Sequence, residues 1–110
     1  MTVEIGRPRI RIPGSARLGE VIEIRTLIDH PMETGLRKDA NGQPVPRDVL
    51  TGFVARANGS EVFAATFRNA TSAHPYLVFH ARIDGPTEFE FVWTHEDGRT
   101  VRAAASVATN

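Results

Sequence analysis

The stretch TEFEFVWTHEDGRTVRAAASV, residues 87–107, decides the fold. In its first half Phe89, Phe91 and Trp93 alternate with Glu88, Glu90 and Val92. In its second half Val101, Ala103, Ala105 and Val107 repeat the period of two. Alternation of this kind sends one set of side chains to a core and the other to water, which is the pattern of a half-buried strand. Asp97-Gly98 between the halves is a turn signal, so the stretch reads as strands over 89–94 and 99–107 joined by a hairpin. The alanine run 103–105 is the nearest approach to a helix in the chain. The valines at 101 and 107 and the preceding hairpin argue for strand.

The same period runs outward from this stretch. Residues 9–12 point isoleucines one way and arginines the other. Within 20–28, Ile22, Ile24 and Ile28 share a face opposite Glu23 and Arg25. Phe63, Ala65 and Phe67 share another, as do Leu77, Phe79, Ala81 and Ile83. Asn58-Gly59 joins 49–57 to 60–67 and predicts a tight hairpin, because both residues tolerate positive φ. Gly85-Pro86 separates 77–83 from 87–94. Seven short strands at this spacing predict an all-β, immunoglobulin-like antiparallel β-sandwich over residues 1–110 as one domain.

Composition narrows the function. The chain has 110 residues, enough for one domain that buries about two-thirds of its unfolded surface. It has no cysteine, which excludes disulfides, thiolate metal sites and a cysteine nucleophile. Thirteen basic residues balance thirteen acidic ones, a poor profile for nucleic-acid binding. The one basic cluster, Arg7, Arg9 and Arg11, lies on one face of a strand and reads as a charged edge that resists sheet-to-sheet aggregation, in preference to the alternative of an anion or nucleic-acid site. No stretch has the length and apolarity to span a bilayer. The first six residues carry no basic and apolar leader pattern, so any export is expected to use a partner's signal.

Two segments break the alternation. The longer, residues 29–48, reads DHPMETGLRKDANGQPVPRD. Asn41-Gly42 within it predicts a short excursion hairpin, and a loop of this length is usually functional or mobile. The shorter is RNATSAHP, residues 68–75. Of the four histidines, His30 stands two residues from Met32, and a His-X-Met arrangement admits copper. The alternative is that Met32 packs on the loop and His30 caps a turn. Glu33, Asp39 and Asp48 share the loop with Arg37, Lys38 and Arg47, a mixture that more often pairs internally than acts as acid and base. Ser72 and His74 read as turn chemistry. There is no G-x-S-x-G elbow, no P-loop and no dinucleotide fingerprint. Val62, Val78 and Val92 fall on outward positions and either form part of a covered face or are isolated surface valines.

The two irregular segments also carry a resemblance. The run HPMETGLRKDANGQPVPR, residues 30–47, resembles the signature of the SoxZ family, a subunit of the SoxYZ sulfur carrier. NGSEVFAATF, TSAHPYLVF and FEFVWTHEDG match in the same order and spacing, so the similarity covers nearly the whole chain. The resemblance implies a non-catalytic subunit without cofactor or metal. It implies a tight heterodimer with SoxY, whose C-terminal cysteine carries the sulfur intermediates of thiosulfate oxidation, and transient contact with other Sox enzymes. It also implies a periplasmic location reached by co-export. On this reading His30, Met32, Arg37, Lys38, Arg47, His74 and Tyr76 are the candidates for contact with the partner or with anionic sulfur groups. One position departs from the family pattern. Where an asparagine often precedes the Pro-Tyr pair, this chain has His74, which either fills the same turn role or adds a titratable group near the partner's arm.

Overall fold

The computed structural model describes residues 5–68 and 71–110. Met1 to Glu4, part of the stretch read for a leader, and Asn69 and Ala70 of the short polar segment lie outside the described residues. Eight strands follow in order: β1 (Pro8–Arg11), β2 (Ser15–Ala16), β3 (Val21–Ile28), β4 (Leu50–Ala57), β5 (Ser60–Thr66), β6 (Tyr76–Arg82), β7 (Thr87–His95) and β8 (Thr100–Thr109). They form a three-stranded sheet, β1-β3-β6, and a five-stranded sheet, β2-β8-β7-β4-β5. This is the immunoglobulin-like sandwich that the alternation predicts. Among the described residues no helix is long and apolar enough to cross a membrane.

The inward parity of each strand builds the core. Ile24 and Ile28 of β3 and Phe79 of β6 face Phe53 of β4 and Phe91 and Trp93 of β7, all buried. Aromatic rings carry the contact between the sheets. Phe79 stacks on Phe63 of β5 with centroids 4.4 Å apart, and Phe53 lies 6.0 Å from Phe79 and 5.0 Å from Trp93. Such ring pairs add to the area term because edge and face charges complement each other.

The turns follow the residue chemistry. Asn58 and Gly59 both take positive φ, 49° and 86°, as the tight hairpin requires. The β7–β8 connection is one residue longer than a two-residue turn. Gly98 donates to the His95 carbonyl, His95 donates to the Arg99 carbonyl, and Gly98 alone supplies the positive φ, at 94°.

Three features differ from the sequence reading. The eighth strand, β2, is two residues long and pairs parallel with β8, too short to register as alternation. A register shift between Ala55 and Arg56 pairs Ala55 with Phe63 but Arg56 with Glu61, which leaves Val62 unpaired on a bulge. The three outward valines do not form one face. Val92 is 7 % exposed within the five-stranded sheet, Val62 lies on β5 at its edge, and Val78 lies on β6 of the other sheet. The edge placement agrees: β1 is an edge strand with Arg9 and Arg11 exposed, while Arg7 precedes it.

Trp93 is fully buried on the central strand, and its indole N–H has no hydrogen-bond partner among the described residues. Trp93→Ala is expected to cost about 3–5 kcal/mol through the cavity it leaves. Trp93→Phe is expected to cost much less, because it keeps a ring and removes a donor whose burial is itself unfavourable by about 1–3 kcal/mol. Urea unfolding of both variants checks the order.

Candidate functional site

The inward parity of β3 continues one step past its end. Ile22, Ile24, Thr26 and Ile28 are followed by His30, which is 1 % exposed. On β7 the series Phe89, Phe91, Trp93 ends in His95, which is 7 % exposed. The two imidazoles meet at one end of the sandwich, with centroids 5.8 Å apart. Asp48, the last residue of the long segment, reaches between them. Its backbone is fixed by a two-way bridge to Glu33, each N–H to carbonyl distance being 2.8 Å.

One oxygen of Asp48 serves both rings. His30 Nε2 lies 3.0 Å and His95 Nε2 2.6 Å from Asp48 Oδ1. The other ring nitrogens decide the proton positions. His30 Nδ1 accepts from the Met32 N–H at 3.0 Å, and His95 Nδ1 accepts from the Asp97 N–H at 3.1 Å. Each neutral ring therefore carries its proton on Nε2 and donates it to Asp48. Asp97 Oδ1 also stands 3.1 Å from His95 Nδ1. Among the described residues, His30 Nδ1 has only the Met32 N–H facing it.

The charges follow this geometry. Burial holds His30 below its ordinary 6.5, against the upward pull of the Asp48 hydrogen bond and charge. Burial pushes the Asp48 carboxyl up, but the hydrogen bonds from His95 and His30 outweigh it and leave it below the ordinary 3.8. The network extends to the short polar segment. His30 N–H donates to His74 Nδ1 at 3.1 Å, and His74 N–H donates to the His30 carbonyl at 2.6 Å. His74 itself takes φ 54°. The positive φ and the two hydrogen bonds with His30 give His74 a turn geometry.

The other predicted residues scatter. Met32 is buried at φ 53°, and its sulfur accepts from the Leu50 N–H at 3.5 Å. Arg37 grips Glu33 through Nε and Nη2, the shortest contact being 2.6 Å, and this guanidinium holds the Glu33 carboxyl below its usual range. Arg47 pairs with Glu96 at 2.8 Å and donates to the Thr34 carbonyl. Lys38 is exposed and bridges Pro44 through its backbone, within an excursion hairpin that turns at residues 39–42 as Asn41-Gly42 predicts. Tyr76 is 54 % exposed, far along the chain on β6. The sequence reading missed Asp48 and His95 as partners of His30. The available signal was parity: both histidines extend an apolar inward series by one residue.

An open cleft of about 900 Å³ lies against this network, lined by Pro31, Glu33, Arg47, Asp48, His95 and Glu96 among others. The donor atoms of His30, Asp48 and His95 lie within 4.8 Å of one another, close enough to hold an ion. Their polarity does not fit one. Ligation through His30 Nε2 would move its proton to Nδ1, directly against the Met32 N–H. The copper reading of His30 and Met32 meets the same obstacle, since His30 is committed on both nitrogens and the Met32 sulfur accepts from Leu50. General-base work by His30 is disfavoured likewise, because neither nitrogen is available to a substrate. The arrangement is a clamp that fastens both ends of the long segment to the two sheets.

Comparison with known proteins agrees with the fold. The family described as Sulphur oxidation protein SoxZ matches residues 10–106. No curated protein matches the chain. The superoxide reductase (neelaredoxin) of Ignicoccus hospitalis superposes with a TM-score of 0.71 at 10 % identity, covering 94 % of this chain and 80 % of that one. The sulfur carrier protein SoxY of Chlorobium limicola f thiosulfatophilum superposes with a TM-score of 0.65 at 13 % identity, covering 94 % of this chain and 78 % of that one. At such identities the likeness is one of fold.

The clamp makes stability pH-dependent. His30 has a lowered pKa, so the unfolded chain takes up a proton below about pH 6.5 that the folded chain refuses, and stability falls from there downward. Asp48 has a lowered pKa too, so a further loss sets in below about pH 3.8. Urea midpoints are expected to decline from pH 7 to pH 5, and His30→Gln, which keeps a donor but cannot titrate, is expected to flatten that decline. Asp48→Ala strands two buried N–H groups at about 1–3 kcal/mol each, toward the lower figure because the Asp48 side chain is 33 % exposed.

Proposed function

The chain belongs to the SoxZ family, and from that premise we propose that it is the non-catalytic scaffold half of a SoxYZ-type sulfur carrier. It pairs with a SoxY-like subunit whose C-terminal cysteine holds the sulfur intermediates of thiosulfate oxidation. The observation that carries this reading is the absence of any thiol in a chain of a sulfur-oxidation family. Covalent sulfur transfer needs a thiolate or an equivalent nucleophile. The buried imidazoles at the clamp are engaged within the protein and do not replace one.

What remains for the chain is mechanical. A cysteine on a mobile arm has to visit several enzymes, so the base of the arm needs a fixed platform. A sandwich closed by inter-sheet aromatic rings, with its longest connection clamped by Asp48, is suited to that role. The periplasmic location and export together with a signal-bearing partner belong to the same proposal, as does transient contact with the enzymes that load and clear the arm.

Co-expression with the SoxY-like subunit of the same cell tests the reading. The two chains are expected to co-elute as a stable complex. After incubation with thiosulfate and the loading enzymes, intact-mass analysis is expected to find sulfur adducts on the partner's cysteine and none on this chain. A monomer indifferent to the partner, or adducts on this chain alone, would overturn it.

A further inference from the structure

The outward face of the three-stranded sheet carries an arrangement that the rest of the surface lacks. Register places Arg9 beside Leu27, and Leu27 beside Tyr76. The next row runs Arg11, Arg25, Val78. Arg11 and Arg25 are thus direct cross-strand neighbours of like charge, a pairing that is unfavourable in an isolated sheet. Arg9 is answered by Asp29 at 3.1 Å and Arg25 by Glu23. Arg11 has no acidic partner among the described residues. Across β3 from Arg11, on β6, Tyr76 is 54 % and Val78 43 % exposed, and Arg9, Arg11, Arg25, Leu27 and Tyr76 line a shallow depression of about 300 Å³.

Tyrosine and arginine are among the residue types that dominate binding energy at protein interfaces. We propose that this face is where the chain receives its cysteine-bearing partner subunit, through a partner segment that sets a carboxylate against Arg11 and Arg25 and an apolar side chain against Tyr76 and Val78. The inference rests on the pairing proposed above and gives it a surface. Charge complementarity selects the occupant. A neutral or basic segment would leave the Arg11 guanidinium desolvated without a counter-charge, whereas an acidic one answers it and offsets its repulsion with the neighbouring Arg25. It also moves the contact away from the long segment, whose arginines are already paired with Glu33 and Glu96.

The test uses the full chain and the SoxY-like subunit of the same cell, with affinity measured by titration. Arg11→Glu and Tyr76→Asp are each expected to weaken the complex at least about tenfold. Val62→Asp, on the five-stranded sheet and as exposed as Val78, is expected to leave it unchanged. Wild-type affinity is expected to fall with added salt, and the slope to become shallower in Arg11→Ala. All three sites are exposed, and melting curves check that the variants fold. Val78→Asp stands in for any that does not. Retained affinity in the Arg11 and Tyr76 variants, or an equal loss in Val62→Asp, overturns the assignment of the surface while leaving the pairing intact. Failure of the wild-type chain to bind the subunit overturns the pairing and the surface together.

Discussion

A single carboxylate oxygen holds this structure in register. Asp48 Oδ1 accepts from His30, which ends the inward series of β3 in one sheet, and from His95, which ends the inward series of β7 in the other. Two imidazoles buried at the end of a core would otherwise be costly, since each N–H needs an acceptor. Here each ring also takes a backbone N–H two residues downstream, so its orientation and tautomer are fixed from both sides. The long segment between β3 and β4 begins beside His30 and ends at Asp48. Its length is tolerated because its two ends are fastened at one point, and because Glu33 and Asp48 exchange backbone hydrogen bonds just inside that point.

The alternation made most of the architecture legible. Period two in 87–107 and its counterparts upstream reflects burial on one face of each strand, and the sheets follow that burial closely. What it did not reveal had other physical origins. Strand β2 has two residues, fewer than a period needs, and its parallel pairing with β8 is decided by chain path. The bulge that frees Val62 depends on a one-residue register shift that no local pattern marks. The clamp lay partly in view, because parity alone directs His30 and His95 inward. Its third member did not. Asp48 sits in irregular chain, where side-chain direction has no period, and its partners are 18 and 47 residues away.

Charges show the same division between local and nonlocal information. Arg37 and Glu33 are four residues apart, and their pairing could be expected from proximity. Arg47 with Glu96 could not, since they meet only because the long segment packs beside the β7–β8 turn. The seven contact candidates were chosen because they stood in unusual sequence, and the structure separates them by role. His30, Met32 and His74 position the backbone. Arg37 and Arg47 answer carboxylates of their own chain. Lys38 and Tyr76 stand exposed, Lys38 on the excursion hairpin and Tyr76 on the outward face of β6.

That separation bears on how a chain without a thiol would contribute to sulfur transfer on the proposed reading. A carrier arm anchored on a compliant base would spread its cysteine over many positions, and each visit to an enzyme would then cost more orientational entropy. Stiffness at the base reduces that cost, whichever enzyme is visited. The features that stiffen this chain are internal: stacked rings between the sheets and a shared carboxylate at one end. The features suited to contact are on the outward face of the smaller sheet. On the proposed reading, a polypeptide that engages His30, His74 and His95 within its own loops and leaves Arg11 unanswered on its surface serves to hold a partner in place, and the chemistry then belongs to whatever that partner carries.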